Sequence, residues 1–256
     1  MTAWTLDPDD FAALWYGDAN DRFPNPLHYH SRFGLRDEFD AHRITVRERY
    51  PFDELEHIEL AMHTLSTSTV RIEILGGTTK HKGNDGSVRI YRIVGATNVY
   101  HSVTLFQSAS GGNDGAIRIE ISSPEELAAR LVRLIPECLP GAHPAATFHP
   151  EDLRFQTNSY FEDVARNTPR ERYQRLLGRP ADGGGSAGLL TGSVNSVSAP
   201  QNVLQWRDIT DDGRYTEVTG AHITVSPTTP ADLVNRFTAW IDEATQRMAD
   251  DETFTW

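Results

Sequence analysis

The chain has 256 residues, 36 of them acidic and 24 basic, for a formal net charge of −12; 38% are hydrophobic and 23% charged. This is the composition of an ordinary globular protein long enough to bury a full core. The acidic balance, without a basic cluster, argues against nucleic-acid or anionic-membrane partners. A lone cysteine, Cys138, excludes an intrachain disulfide and fits a reducing compartment.

The opening MTAWTLDPDDF lacks the basic and apolar regions of a secretory signal, and no apolar run approaches the ~20 residues of a membrane span. The sequence therefore reads as cytoplasmic. Asp7-Pro8-Asp9-Asp10 supplies a cap, a proline and acidic residues for a first helix, with Phe11, Leu14 and Trp15 on its apolar face and Gly17 as its stop. Pro24 and Pro26 force an extended path up to Leu27, and Leu27–Phe33 reads as a short strand. Residues 36–50 fit helix and strand alike and are left unassigned.

A second helix starts at Pro51 and carries Leu55, Ile58, Met62 and Leu65 on one face. Strands follow at Val70–Ile74, Val88–Val94, Tyr100–Phe106 and up to Ile121. Gly-Asn-Asp-Gly occurs at 83–86 and 112–115, each time before a strand, which is turn chemistry rather than a phosphate loop. Ser159 with Glu162, and Thr168-Pro169 with Glu171, mark two further capped helices. Ala181–Gly188, ADGGGSAG, reads as a flexible polar linker, with strands resuming near Leu189. The tail beyond Ala249 is acidic and is expected to fray.

The stretch Val203–Ile241 contains a strand, a turn at Asp211-Asp212-Gly213 where Gly213 supplies a positive φ, a strand from Arg214-Tyr215, and a long helix. Thr229, Pro230 and Asp232 cap that helix, and Leu233, Phe237, Trp240 and Ile241 form its stripe. Ile117–Ile135 repeats the pattern without gaps. Ser123, Pro124 and Glu126 match the cap, Arg130 falls where Arg236 falls, and Leu127, Leu131, Leu134 and Ile135 repeat the stripe. Any capped helix after a strand shares part of this; agreement at every position favours an internal duplication. The element order predicts an α+β fold with a segregated antiparallel sheet.

Candidate chemistry is sparse. His28/His30 and Glu59/His63 have metal-ligand spacings, but no third ligand is tied to either pair. Asp208, Asp211 and Asp212 beside Trp206, Arg214 and Tyr215 offer a glycosidase-like carboxylate pair. The simpler reading is that the acids form the turn, Arg214 pairs with Asp208 across the strands, and Trp206 and Tyr215 pack. No nucleophile elbow, Walker loop or dinucleotide fingerprint is present.

Trp206-x-Asp208 followed by Gly213-Arg214-Tyr215 resembles the C-terminal signature of the EspG family, proteins associated with ESX (type VII) secretion in actinobacteria. Phe11-x-x-Leu14-Trp15 and Pro24-x-Pro26-Leu27 resemble its opening helix and proline-spaced strand. The passage from Leu60 to Val70 and the small-residue strand Thr191-Gly192-Ser193-Val194 are similar too.

The resemblance implies a single EspG-like domain over 1–256. Its mixed α/β fold would have a central antiparallel sheet with helices packed on it. Two halves, about 1–136 and 137–256, would be related by a quasi-two-fold axis. It also implies no enzyme activity and no cofactor. The implied role is a cytosolic chaperone that grips the hydrophobic tip of a helical PE–PPE-like secretion substrate, being itself a monomer or weak homodimer when free. The signature positions are read as fold-forming, with an interface role left open. A generic interaction module with a non-PPE partner, and an unrecognised hydrolase or metal protein, stand as alternatives. The loops expected to close over a ligand are 76–86, containing Lys80-His81-Lys82, and 181–188.

Overall fold

The computed structural model describes residues 3–80, 86–154 and 168–253. The capped helices form where proline and acidic residues place them. Asp7 accepts from Asp9 N at the head of α1 (Pro8–Trp15). Thr168 and Glu171 form a capping box on α6 (Pro169–Leu177), and Thr229 and Asp232 exchange bonds of 2.9 and 3.1 Å on α7 (Pro230–Thr253). The remaining helices are α2 (Arg36–Glu48), α3 (Phe52–Ser66), α4 (Leu127–Leu134, after a 3₁₀ turn) and α5 (Pro150–Leu153).

The strands are β1 (Ala3–Leu6), β2 (Val70–Thr78), β3 (Arg89–Thr97), β4 (Ser102–Ser110), β5 (Asn113–Ser122), β6 (Ala146–Phe148), β7 (Ala181–Thr191), β8 (Asn202–Ile209), β9 (Gly213–Thr219) and β10 (Ile223–Pro227). They form one ten-stranded sheet in the order β1-β5-β4-β3-β2-β7-β8-β9-β10-β6, with every neighbouring pair antiparallel. The expected α+β class with a central antiparallel sheet is what the chain adopts. Adding five to each strand number of the first half and reading backwards from the β2–β7 junction reproduces the second half.

Period-2 alternation sends neighbouring residues to opposite faces of the sheet. On one face Val70, Ile72, Ile74, Ile93, Ala187, Leu189, Leu204 and Trp206 pack under α4 and α7. On the other, α1 and α3 cover Val94, Val103, Leu105, Ile117 and Ile119, while α6 covers Ile209, Tyr215 and Val225 further along.

Several sequence expectations fail here. Ala181–Gly188 is not a flexible loop but most of β7, a central strand paired with both β2 and β8. Its small residues serve packing: a Cβ on Gly185 would lie 2.5 Å from the Trp206 ring and 2.8 Å from Leu75 O. Composition that suits a linker also suits a strand over which a large ring lies flat.

Residues 36–48, left unassigned, form α2. Val46 is the one residue this helix fully buries, and it docks through charge. Arg43 donates to Tyr16 O at 2.8 Å, Arg49 pairs with Asp10 at 2.7 Å, and Arg47 pairs with Glu59 at 2.8 Å. A helix held this way has no apolar stripe to read.

Leu27–Phe33 is not a strand. The buried Gln107 amide accepts from His28 N and donates to His28 O, both at 2.8 Å, doing what a neighbouring strand would do. Thr191–Val194 leaves the sheet at Thr191. At the β8–β9 turn the positive φ belongs to Asp211 (59°), not Gly213. α7 continues to Thr253 instead of fraying at Ala249. The Ser159/Glu162 helix, His81-Lys82, most of the first Gly-Asn-Asp-Gly and the terminal Phe254 and Trp256 lie outside the described residues.

Gly185→Ala is therefore expected to destabilise the fold by about 1–3 kcal/mol through overpacking against Trp206. Ser186→Ala, next along the strand and on the other face, should be near neutral. Urea denaturation of both variants checks this, and a flexible segment would make both neutral.

Candidate functional site

The C-terminal signature residues converge on one hairpin. Asp208 and Arg214 are directly opposite across β8 and β9, and both side chains are buried. Arg214 Nε donates to Asp208 Oδ1 at 2.7 Å and Nη2 to Oδ2 at 2.8 Å, a two-point pairing. Nη2 also reaches Pro136 O at 2.8 Å, and the guanidinium lies 5.9 Å from the Trp206 ring centroid. Burial pulls the Arg214 pKa down, but the bonds and charge of Asp208 outweigh it and leave it raised. The pair expected from the sequence is present.

The hairpin also grips the segment that runs from α4 to β6. Arg214 N donates to Leu139 O at 2.7 Å, and Gly141 N to Arg214 O at 3.1 Å. Gly213 is required by closeness: a Cβ there would lie 2.5 Å from Leu139 O and 2.6 Å from Pro140 O. Tyr215 donates to Asp212 Oδ2 at 2.8 Å and accepts from His143 N at 2.9 Å. Asp212 also accepts from Ala142 N at 2.7 Å and pairs with Arg179 at 2.6 Å. Burial pushes the Asp212 carboxyl up, but these donors win and hold it below the usual value. Half-buried beside this pair, Cys138 has its thiol pushed up by burial and by Asp208.

The N-terminal signature forms the second core. Phe11, Leu14 and Trp15 are buried against β5 and α3, and Trp15 Nε1 donates to Arg22 O at 2.7 Å. Pro24 and Leu27 are buried and joined by a Leu27 N to Pro24 O bond of 2.9 Å, while Pro26 is half-buried. The signature residues thus spread over three cores: Phe11, Leu14, Trp15 and Leu27 lie in that of α1 and α3, Trp206 in that of α4 and α7, and Tyr215 in that of α6.

What remains open is the centre of the sheet on the α1/α3/α6 side. Between the α3 lobe over β3 and the α6 lobe, which covers β9 and reaches Ile209 at the end of β8, the strands β2, β7 and the earlier part of β8 carry no helix on this face among the described residues. Leu75 is 47% exposed, Val203 43% and Ile90 38%, and Gln205 and Arg207 are exposed beside them. β7 contributes a small-residue floor of Gly184, Ser186 and Gly188. From β3 to β9 there are four strand spacings, about 19 Å, which is wider than the 10–12 Å of a helix with its side chains. The surface is an open, partly apolar trough.

The sequence did not single out the trough. One signal was there: in Val203-Leu204-Gln205-Trp206-Arg207-Asp208 the odd positions are exposed and the even ones buried. Of the loops expected to close over a ligand, residues 76–78 belong to β2 and 181–188 to β7, so they supply floor rather than lid.

The other candidates are engaged elsewhere. His28 Nδ1 bonds Asp114, which also pairs with Arg92 at 2.8 Å, and Glu59 pairs with Arg47. The hairpin acids do not form a catalytic pair: Asp208 is taken by Arg214, and Asp212 by Ala142, Tyr215 and Arg179. Among the described residues no three His, Cys, Asp or Glu side chains form a group that could hold a metal ion. No helix among them is long and apolar enough to cross a membrane. A cleft of about 630 Å³ opens on the opposite face beside α7, lined by Thr216, Asp232, Arg236 and Glu243, and is mainly polar.

The model of the EspG family matches residues 7–239 of the chain. No curated protein matches it.

Asp208→Asn leaves Arg214 charged and buried without its counter-ion, and should cost about 3–5 kcal/mol in urea denaturation. Asp212→Asn should destabilise at neutral pH. Because the folded Asp212 pKa lies below the unfolded value of 3.8, its contribution is present above that value and lost as pH falls through the folded one. The gap between Asp212→Asn and the natural protein should therefore close as pH falls below 3.8 and through the folded value.

Proposed function

This chain belongs to the EspG family, and we propose that it acts in the cytoplasm as the chaperone of a helical, PE–PPE-like secretion substrate. Family membership points to an ESX-associated secretion chaperone, a chaperone-type role rather than an enzymatic one. The finer assignment is our reading, and the trough carries it. An exposed apolar tip on a helical hairpin is an aggregation site until covered. The trough has the width for such a tip, apolar side chains in Leu75, Ile90 and Val203, and a small-residue floor that lets the tip approach closely. Burial contributes about 25 cal/mol per Å² before the costs of docking are subtracted.

The proposal includes a monomer or weak homodimer when free, with no cofactor and no catalytic step. It also includes two halves, 1–136 and 137–256, related by a quasi-two-fold axis within one domain. The mirrored strand order about β2–β7 supports this. The two helices have diverged, since Arg130 is buried against Glu120 and Glu126 whereas Arg236 is exposed.

The test is co-expression with helical secreted proteins encoded next to this gene, followed by size exclusion at low and high salt. A 1:1 complex is expected that weakens only modestly in a few hundred millimolar salt, since apolar burial dominates. Ser186→Trp, which fills the middle of the trough floor, should abolish the complex, while Ser186→Ala should retain it. A complex indifferent to Ser186→Trp would place the substrate elsewhere. If no helical candidate co-purifies, the reading passes to an interaction module with another kind of partner.

A further inference from the structure

We infer that the trough selects a helical tip that carries a carboxylate beside its apolar side chains, and that Arg207 is the residue that reads it. The inference rests on the trough being the docking face. The acids in the trough and on the strands flanking it are taken by neighbouring donors. Glu73 pairs with Arg71 at 2.8 Å and accepts from Asn25 at 2.5 Å, and Asp114 is held by Arg92 and His28. Glu217, diagonal to Arg207 on the same face, accepts from Tyr173 OH at 2.6 Å. Burial first, and that bond second, push the Tyr173 pKa up to about 12, so the phenol stays a donor at physiological pH.

Arg207 is the exception. It is exposed, stands between Gly184 on β7 and Tyr215 on β9, and has no carboxylate partner among the described residues. Its Nη1 donates to Leu177 O at 2.9 Å, in the last turn of α6. That bond fixes the guanidinium at the wall of the trough while using one of its five N–H donors. Gly184 beside it presents no side chain to cover it. The result is a held, donor-rich cation at the edge of an apolar surface, on a chain whose net charge of −12 repels acidic partners in general. A tip with a carboxylate in register gains a charge-assisted, two-point contact there. A tip without one leaves the guanidinium desolvated and unpaired, and a cationic tip is repelled.

The probes are three synthetic helical hairpins with the same leucine-rich tip, differing only in one tip-adjacent residue: Glu, Gln or Lys. The natural protein should bind the Glu hairpin at least about tenfold more tightly than the Gln hairpin, with Lys weaker still. Arg207→Gln should erase the Glu advantage, and Arg207→Glu should make the Lys hairpin the preferred one. A reversal of preference cannot come from loss of the α6 bond or from partial unfolding, because a damaged fold weakens all three hairpins together. Equal binding of the three hairpins, or a Glu preference that survives Arg207→Gln, overturns the inference. If binding is insensitive to the hairpin's charge yet abolished by Ser186→Trp, the docking face stands and only the role of Arg207 falls. If no hairpin binds, both fall.

Discussion

Asp208 and Arg214 meet across β8 and β9 with both carboxylate oxygens engaged, and much of the C-terminal half is arranged around them. Burying such a pair is not in itself a gain, since desolvation offsets most of the attraction. What it supplies is register. The guanidinium satisfies Pro136 O, while the Arg214 backbone holds Leu139 and Gly141, so the segment between α4 and β6 is fixed across the hairpin at three points. Gly213 permits that approach, and Asp212 with Tyr215 fastens the far end at Ala142 and His143. Residues that look catalytic on paper form a clasp between the β8–β9 hairpin and the segment that follows α4.

The clasp has a consequence for the sheet. Asp208 and Arg214 lie on the face that α4 and α7 pack against, as do Trp206 and the side of β7 on which Gly185 gives the indole room. That face is committed to the interior. Part of the opposite face of β2, β7 and β8, at Leu75, Ser186, Val203 and Gln205, is left between two helical lobes, each with its own core. The trough is thus what remains when two covered half-sheets are joined side by side at β2 and β7.

Much of this was legible in the sequence where a local rule decides the outcome. The proline-led caps of α1, α6 and α7, the stripes of α3 and α7, and the Asp208–Arg214 pairing all follow from short-range chemistry. What escaped was set by tertiary context. β7 reads as a linker because its glycines answer to Trp206 and to the backbones beside it, none of which a window of eight residues contains. α2 reads as ambiguous because its apolar contacts are few, mainly Phe39 and Val46, and ion pairs to α1 and α3 at its end supply much of its docking. The positive φ went to Asp211, because Asp tolerates that conformation and Gly213 was needed for contact with Leu139 and Pro140. Among candidate site residues, those in the signature motifs are buried or half-buried, while the trough is built from residues in none.

An open sheet surface on a stable protein invites aggregation, and the strand order limits the risk. The exposed strands β2, β7 and β8 lie in the middle of the sheet, with their backbone groups paired on both sides. They offer side chains but no free backbone edge. The edges themselves are short, four residues in β1 and three in β6, too little template for another strand to extend. Strand addition is therefore disfavoured at the ends, and only side-chain packing is available in the centre. A partner for such a surface must arrive with its own backbone hydrogen bonds already made, which is the property of a helix. A helical partner, as proposed, meets that requirement before any residue of the trough is consulted.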